Sequence, residues 1–251
     1  MHRRVFTASL LACPVCRVLA QAVKGSPTPE WNYDSAGPTK WGGLERAFSI
    51  CATGDQESPV DLRDGIPARA APVRLDWKGG KFTVENNGHT IEANVPSGSS
   101  VMLGSDRFNL TQFHFHLPSE HAVSGKRSAM EVHFVHVHQD GRIAVLGTLL
   151  EPGGRNESLS AVMKVAPAKA GGEVPTESVV DPRQLAPGSL DSWRYEGSLT
   201  TPPCSQIVSW VVFARTVRVA QSDIDAFRKI FPMNARPLQP LNRRYLLRSS
   251  Q

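Results

Sequence analysis

The sequence predicts a single domain of mainly β, α+β structure, largely antiparallel, with a few short peripheral helices. Three observations carry this. Runs rich in β-branched and aromatic residues follow one another, with Gly, Pro, Asn or Asp between them. Helical periodicity is convincing in only two windows. No internal repeat or linker divides the 251 residues, a length that fits one large domain or two small ones.

From the N-terminus, residues 1–22 read as a signal peptide. His2, Arg3 and Arg4 make a basic start, Val5 to Ala12 are largely apolar, and Leu19-Ala20-Gln21-Ala22 offers a small-residue cleavage site. Arg3-Arg4-Val5-Phe6 also suggests a twin-arginine signal, and Leu10-Leu11-Ala12-Cys13 a lipoprotein site that would tether the mature chain by Cys13. Pro14 and Arg17 interrupt the apolar stretch, so a tail ahead of an uncertain start codon is the alternative. Residues 23–50, rich in Pro and Gly around Trp31 and Trp41, read as an irregular arm packed on the body by its aromatics. Strands are expected over residues 81–86, 90–95, 101–103, 108–117, 129–138, 143–150, 192–196 and 207–219. Helices are expected over 156–164 and 222–230, the latter capped by Ser222 with Asp223 and Asp225 near its positive end. The Pro/Gly/Ala-rich segment 166–188 reads as a surface loop.

Charge and cysteine usage narrow the functional classes. The net charge of +5 owes three cations, Arg3, Arg4 and Arg17, to the leader, leaving 25 basic against 23 acidic residues. No Lys/Arg stripe remains that would track a phosphate backbone, which argues against nucleic acid as a partner. No apolar run approaches the roughly 20 residues of a membrane helix. Beyond the leader, which holds Cys13 and Cys16, only Cys51 and Cys204 remain, an even pair suited to a disulfide in an oxidising compartment. Two buried free thiols are the alternative. A periplasmic or secreted protein is expected.

The chemistry gathers on two strands. His114 and His116 alternate, so both leave one strand face. Leu110 and Gln112 share their phase, and Asn109, Thr111, Phe113, Phe115 and Leu117 form the opposite set. On the next strand Glu131, His133, Val135 and Val137 share one face, while Val132, Phe134 and His136 share the other. A turn at Ser124-Gly125-Lys126 makes the two strands antiparallel neighbours and brings His133 opposite the pair. Three imidazoles suit Zn2+, whose fourth position then takes water with a pKa of about 7. Gln112 and Glu131, each two residues from a histidine on the same face, are placed to accept from the imidazoles and fix their tautomers. The H-x-H pair alone fits a nickel-binding or merely solvated strand equally well.

These residues also carry a family resemblance. Gln112-Phe113-His114-Phe115-His116 with Ser119-Glu120-His121, and Glu131-Val132-His133-Phe134-Val135-His136, resemble the two zinc segments of alpha-class carbonic anhydrases. Gly197 to Cys204 is similar to their active-site loop, and Asn86-Asn87-Gly88-His89 to their proton-shuttle segment. Gln56 to Val60 and Asn234-Ala235-Arg236-Pro237 match two further landmarks, and the matches keep family order from Trp31 to Arg243. The resemblance implies that residues 23–251 form one such domain, around a central, mostly antiparallel twisted sheet of about ten strands. It implies Zn2+ on His114, His116 and His133, and hydration of carbon dioxide to bicarbonate by zinc-bound hydroxide. Thr200 would accept from that hydroxide and donate to Glu120, and His89 would shuttle protons. Val135, Val145, Leu199, Thr201, Val208 and Trp210 would line the substrate pocket, and Cys51 would bridge Cys204. His121 and His136 fit structural positions, and His138 is expected to be exposed. Leu117, where many relatives have Trp, and Glu92, in place of a neutral amide, depart from the common pattern, and Tyr33 matches a cavity tyrosine loosely. A monomer or homodimer is expected, with ester hydrolysis as a side activity. A non-catalytic binding domain is the competing class, disfavoured because all three histidines are present.

Overall fold

Alternating burial along the chain becomes, among the described residues, sixteen strands. A computed structural model describes residues 30–250; the expected leader, with Cys13 and Cys16, lies outside them. The strands are β1 (Asp61–Leu62), β2 (Ile66–Pro67), β3 (Val73–Asp76), β4 (Thr83–Asn86), β5 (Ile91–Asn94), β6 (Ser100–Leu103), β7 (Asp106–His116) and β8 (Ala122–Val123). They continue as β9 (Lys126–Arg127), β10 (Met130–His138), β11 (Ile143–Pro152), β12 (Glu173–Pro175), β13 (Ser192–Gly197), β14 (Val208–Phe213), β15 (Val217–Val219) and β16 (Leu247–Ser249). Four helices, α1 (Trp41–Leu44), α2 (Ile50–Thr53), α3 (Glu157–Val165) and α4 (Gln221–Ile230), accompany them. No helix is long and apolar enough to cross a membrane among the described residues.

The main sheet runs β12-β4-β5-β7-β10-β11-β14-β13-β16-β2, with β3, β6 and β15 joined at its side. Its pairs are antiparallel except β11 with β14 and β15, and β16 with β2. From Trp31 onward the chain is one compact unit. The two faces of β10 and β11 bury different partners. Val132, Phe134, Ala144 and Leu146 join Phe113 and Phe115 under Leu159 and Val162 of α3 and Ile224 and Phe227 of α4. Ile143 and Val145 join Val208, Trp210 and Val212 on the other side. Each such fully buried side chain contributes about 1.5–3 kcal/mol by leaving water, so both faces hold the central strands in one register.

Four expectations change. A bulge shifts the β7–β10 register: Val135 pairs with Gln112, but His136 pairs with Leu110, leaving Thr111 as the extra residue. Thr111 donates its hydroxyl to the Val135 carbonyl at 3.0 Å. The bulge turns Phe108 and Leu110 into the core beside Phe113, so Leu110 does not share the histidine face. The run expected over 207–219 breaks into β14 and β15, where Ala214 donates to the Asp191 carbonyl. The 166–188 segment is not simply a surface loop. Residues Glu173–Pro175 pair with β4, and a 3-10 turn at Pro182–Leu185 buries Pro182 and Leu185. Lastly, α4 begins at Gln221 with Ala220 as its uncapped N-terminus, while Asp223 turns inward to accept from Ser160 of α3 at 2.6 Å. By contrast Asn156 caps α3, accepting from Leu159 N–H at 3.0 Å.

Candidate metal centre

The central strands bring three imidazoles to one point. His114 and His133 are directly opposite in the β7–β10 ladder, and His116 lies opposite Glu131. The hairpin of β8 and β9 between the two strands turns at Ser124 and Gly125, both at positive φ. The candidate ligand nitrogens of His114, His116 and His133 lie within 4.8 Å of one another. His116 and His133 are buried and His114 is partly open, so the cluster sits at the floor of a cavity.

Hydrogen bonds decide which nitrogen of each ring is free. Gln112 Oε1 lies 2.8 Å from His114 Nδ1. The Asn234 carbonyl lies 2.8 Å from His116 Nδ1. A carbonyl only accepts, so both rings carry their proton on Nδ1 and leave Nε2 as a lone pair. His116 Nε2 is buried with no hydrogen-bond partner. For His133 the relation is reversed: Nε2 lies 3.0 Å from Glu131 Oε1, at ion-pair distance, while Nδ1 faces inward. Burial first, and neighbouring histidines after it, hold His114 well below the usual imidazole value. Burial also lowers His116, against the charge of Glu120. Neutral imidazoles with an orphaned buried nitrogen fit a metal ligand set.

A second convergence, His121, Glu131 and His133, does not fit one. His121 Nδ1 lies 2.8 Å from Glu131 Oε1 and its Nε2 lies 2.6 Å from Tyr195 OH, while its N–H donates to Glu131 Oε2 at 2.8 Å. The donor atoms of His121 and Glu131 are thus engaged with each other and with Tyr195. Burial raises the Glu131 carboxyl, but its electrostatic interactions and hydrogen bonds with His121 and His133 outweigh it and hold it well below the usual range. Gly147, opposite His133, makes room for this carboxylate: a Cβ there would stand 2.9 Å from Glu131 Oε1.

Glu120 is fully buried, and its Oε1 accepts from Arg236 N–H at 2.7 Å. Its Oε2 has no hydrogen-bond partner and stands 3.5 Å from His116 Nε2 and 3.9 Å from His133 Nδ1. Among the described residues no hydrogen bond joins it to Thr200, and Oε2 is left open.

Above the cluster a cavity of about 130 Å³ is lined by residues that include Tyr33, His89, Glu92, Gln112 and Thr201. The His89 ring stacks on Trp31 at 3.6 Å between centroids, and burial lowers its basicity. Glu92 pairs with His114 across β5 and β7. Burial first, then the charge and hydrogen bond of Glu85, against a hydrogen bond from Asn87, push its carboxyl up to about 7. Val145, Val208 and Trp210 form one buried apolar group, with Val135 and Leu199 packed against it. The Trp210 ring is 4.8 Å from that of His133. His136 lies on the core face, where Trp77 Nε1 donates to its Nε2 at 3.1 Å, and burial lowers it to about 3. His138 sits at the β10 end, paired with Asp140 at 2.6 Å.

The Thr200 loop is tied from outside. Cys204 is bonded to Cys51, with 5.1 Å between Cα atoms. Buried Arg236 holds Glu57 at 2.7 Å and the Cys51 carbonyl at 2.8 Å, and Ser198 donates to Glu57 Oε2 at 3.3 Å. The sequence marks Asn234 and Arg236 as part of a family landmark, but not the contacts they make. Asn234 holds His116 through its backbone, accepts from Leu117 N–H at 2.7 Å, and donates to the carbonyls of Phe115 at 2.9 Å and His89 at 3.1 Å. Arg236 joins Glu120 to the disulfide. Both lie over a hundred residues from their partners, where local patterning carries no signal.

Comparison with known proteins agrees with this geometry. A family model described as eukaryotic-type carbonic anhydrase matches residues 36–250. A carbonic anhydrase of Neisseria gonorrhoeae is 37% identical over 244 residues, covering 96% of this chain and 95% of its own. One of Pectobacterium atrosepticum is 36% identical over 228 residues, covering 90% and 93%. The alpha-carbonic anhydrase of Thermovibrio ammonificans, solved with the inhibitor sulfanilamide, superposes with a TM-score of 0.85 at 40% identity, covering 88% of this chain and 100% of that one. A match over most of the chain, in sequence and in fold, shows that this protein belongs to the eukaryotic-type, or alpha, carbonic anhydrase family of enzymes.

Proposed function

We propose that this chain catalyses the reversible hydration of carbon dioxide to bicarbonate and a proton, using zinc on His114, His116 and His133. The observation that carries the reading is the buried, unpartnered Nε2 of His116, in a cluster where Gln112 and the Asn234 carbonyl meet Nδ1 of His114 and His116 and Glu131 stands 3.0 Å from His133 Nε2. A zinc ion held there would supply Lewis-acid activation of water near neutral pH. The chain's own residues do the rest. Gln112, the Asn234 carbonyl and Glu131 orient the three rings. Glu120, anchored by Arg236 N–H, keeps Oε2 free to accept a hydroxyl proton, and Thr200 is the residue assigned to donate it. Val135, Val145, Leu199, Val208 and Trp210 provide an apolar wall for a small apolar substrate, and Thr201 borders the cavity. His89, at the cavity rim, takes the proton released in each turnover and passes it to buffer.

The disulfide between Cys51 and Cys204 supports export to an oxidising compartment, periplasmic or extracellular, with residues 1–22 as the signal and 23–251 as the catalytic domain. A monomer or homodimer suffices, since the site residues come from one chain. The test is stopped-flow hydration of carbon dioxide before and after dipicolinate treatment, with zinc content measured in parallel. Activity should vanish with the metal and return on adding zinc. One bound zinc per chain without hydration activity would overturn the assignment.

A further inference from the structure

A second cleft lies over β13 and β16, near one end of the sheet, and none of its lining residues borders the cavity over the histidines. It has a volume of about 410 Å³ and is lined by Arg194, Tyr195, Glu196, Arg244, Tyr245 and Leu247. Arg194 and Leu247 are ladder partners across β13 and β16, so one wall is fixed by the sheet.

The two guanidinium groups are left without a counter-charge. Among the described residues neither has a carboxylate within ion-pair distance. Arg194 Nε has only the Ser192 hydroxyl, at 3.5 Å, and its Nη2 is shielded from water with no acceptor at all. Arg244 lies over the Tyr195 ring and spends four N–H groups on the neutral carbonyls of Leu241, Glu196, Glu57 and Pro240. The fifth is uncommitted. Burial lowers both groups below the usual arginine value, for Arg244 against Tyr195 and then Glu57 and Asp55. Glu196 does not neutralise them: both its oxygens accept from Ser209, at 3.1 and 2.9 Å. A half-buried cation is ordinarily paired, and here the described residues supply no pair.

Besides Glu196, which is held by Ser209, the rest of the lining is Tyr195, Tyr245 and Leu247. Tyr245 is 73% exposed, leaving a large apolar ring face to water, and Leu247 lines the cleft with it. An inorganic oxyanion would meet the charge but leave these walls unused. We propose that the cleft binds a small organic carboxylate with an aromatic or alkyl body. Its carboxylate pairs with Nη1 of Arg194 and with the uncommitted Nη1 N–H of Arg244, and its body lies against Tyr245 and Leu247.

The probe is 4-fluorobenzoate, followed by 19F NMR on the intact zinc-loaded chain. Saturable binding is expected, weakened about tenfold or more by Arg194→Gln and severalfold by Tyr245→Ala, and retained in His114→Ala, which disables the metal cluster. The neutral isostere 4-fluorobenzyl alcohol should bind about tenfold or more weaker than the acid. Tyr245 is exposed, so its variant and the alcohol comparison decide the matter even if Arg194→Gln folds poorly. Four results would each overturn the proposal: no saturation, equal affinity for acid and alcohol, affinity unchanged by both cleft variants, or displacement by inorganic phosphate as effective as by unlabelled benzoate.

Discussion

Replacing Asn234 with Ala tests whether one buried side chain couples the metal cluster to the fold. The substitution leaves Leu117 N–H, held at 2.7 Å from Asn234 Oδ1, buried without an acceptor. That alone costs about 1–3 kcal/mol. The Phe115 and His89 carbonyls each lose a donor as well, although Phe115 keeps the Thr90 hydroxyl. The expected loss is about 3 kcal/mol, a large share of a typical domain stability of about 5–15 kcal/mol. The carbonyl that accepts from His116 Nδ1 belongs to the same residue, and it loses the side-chain bonds that hold it in place. Zinc affinity should therefore fall about 10- to 100-fold, the usual cost of removing an orienting partner. Urea unfolding of the metal-free protein reads the first effect, and competition with a chromophoric chelator reads the second. A stability loss under about 1 kcal/mol together with unchanged zinc affinity would refute the reasoning.

Three further perturbations probe the surroundings. Removing the Cys51–Cys204 bridge, which spans 153 residues, should destabilise the chain by at most about 5 kcal/mol on the chain-entropy model, read as a drop in the urea midpoint on reduction; a shift within error would show that the fold does not depend on it. The Glu92 carboxyl is raised from 4.5 to about 7, so its contribution to stability is present at acid pH and is lost as pH rises through that window. Glu92→Gln should therefore flatten the stability profile between those values, and an unchanged profile would mean that Glu92 ionises freely. His89→Ala should slow turnover about 100-fold or more in weak buffer and recover with added imidazole. A deficit that persists at high buffer concentration would remove His89 from the proton path.

Local patterning reached the centre of this protein because the chemistry rides on period-two strands. The phase of His114, His116 and His133, and of Gln112 and Glu131 two residues away, follows from pleat geometry alone, and so does the placement of His136 on the opposite face. That inference stops at the first irregularity. The bulge at Thr111 reverses the phase upstream, and Leu110 enters the core although it alternates with the histidines in sequence. Nothing about Thr111 itself announces an extra residue, since a bulge is set by how two strands meet.

What sequence determined, then, was chemical identity and strand phase: which side chains could ligate, which way they point, and the family whose motifs they share. What tertiary structure decided was which nitrogen stays free and which carboxylate oxygen has no partner. Asn234 reaches His116 across 118 residues, and Arg236 reaches Glu120 across 116 and Glu57 across 179. Such contacts form only when distant strands and loops pack, because a hydrogen bond is sensitive to tenths of an ångström that no one-dimensional pattern encodes. The unpaired guanidinium of Arg194 belongs to the same class: its sequence neighbours Tyr195 and Glu196 give no hint that the fold leaves it without a counter-charge.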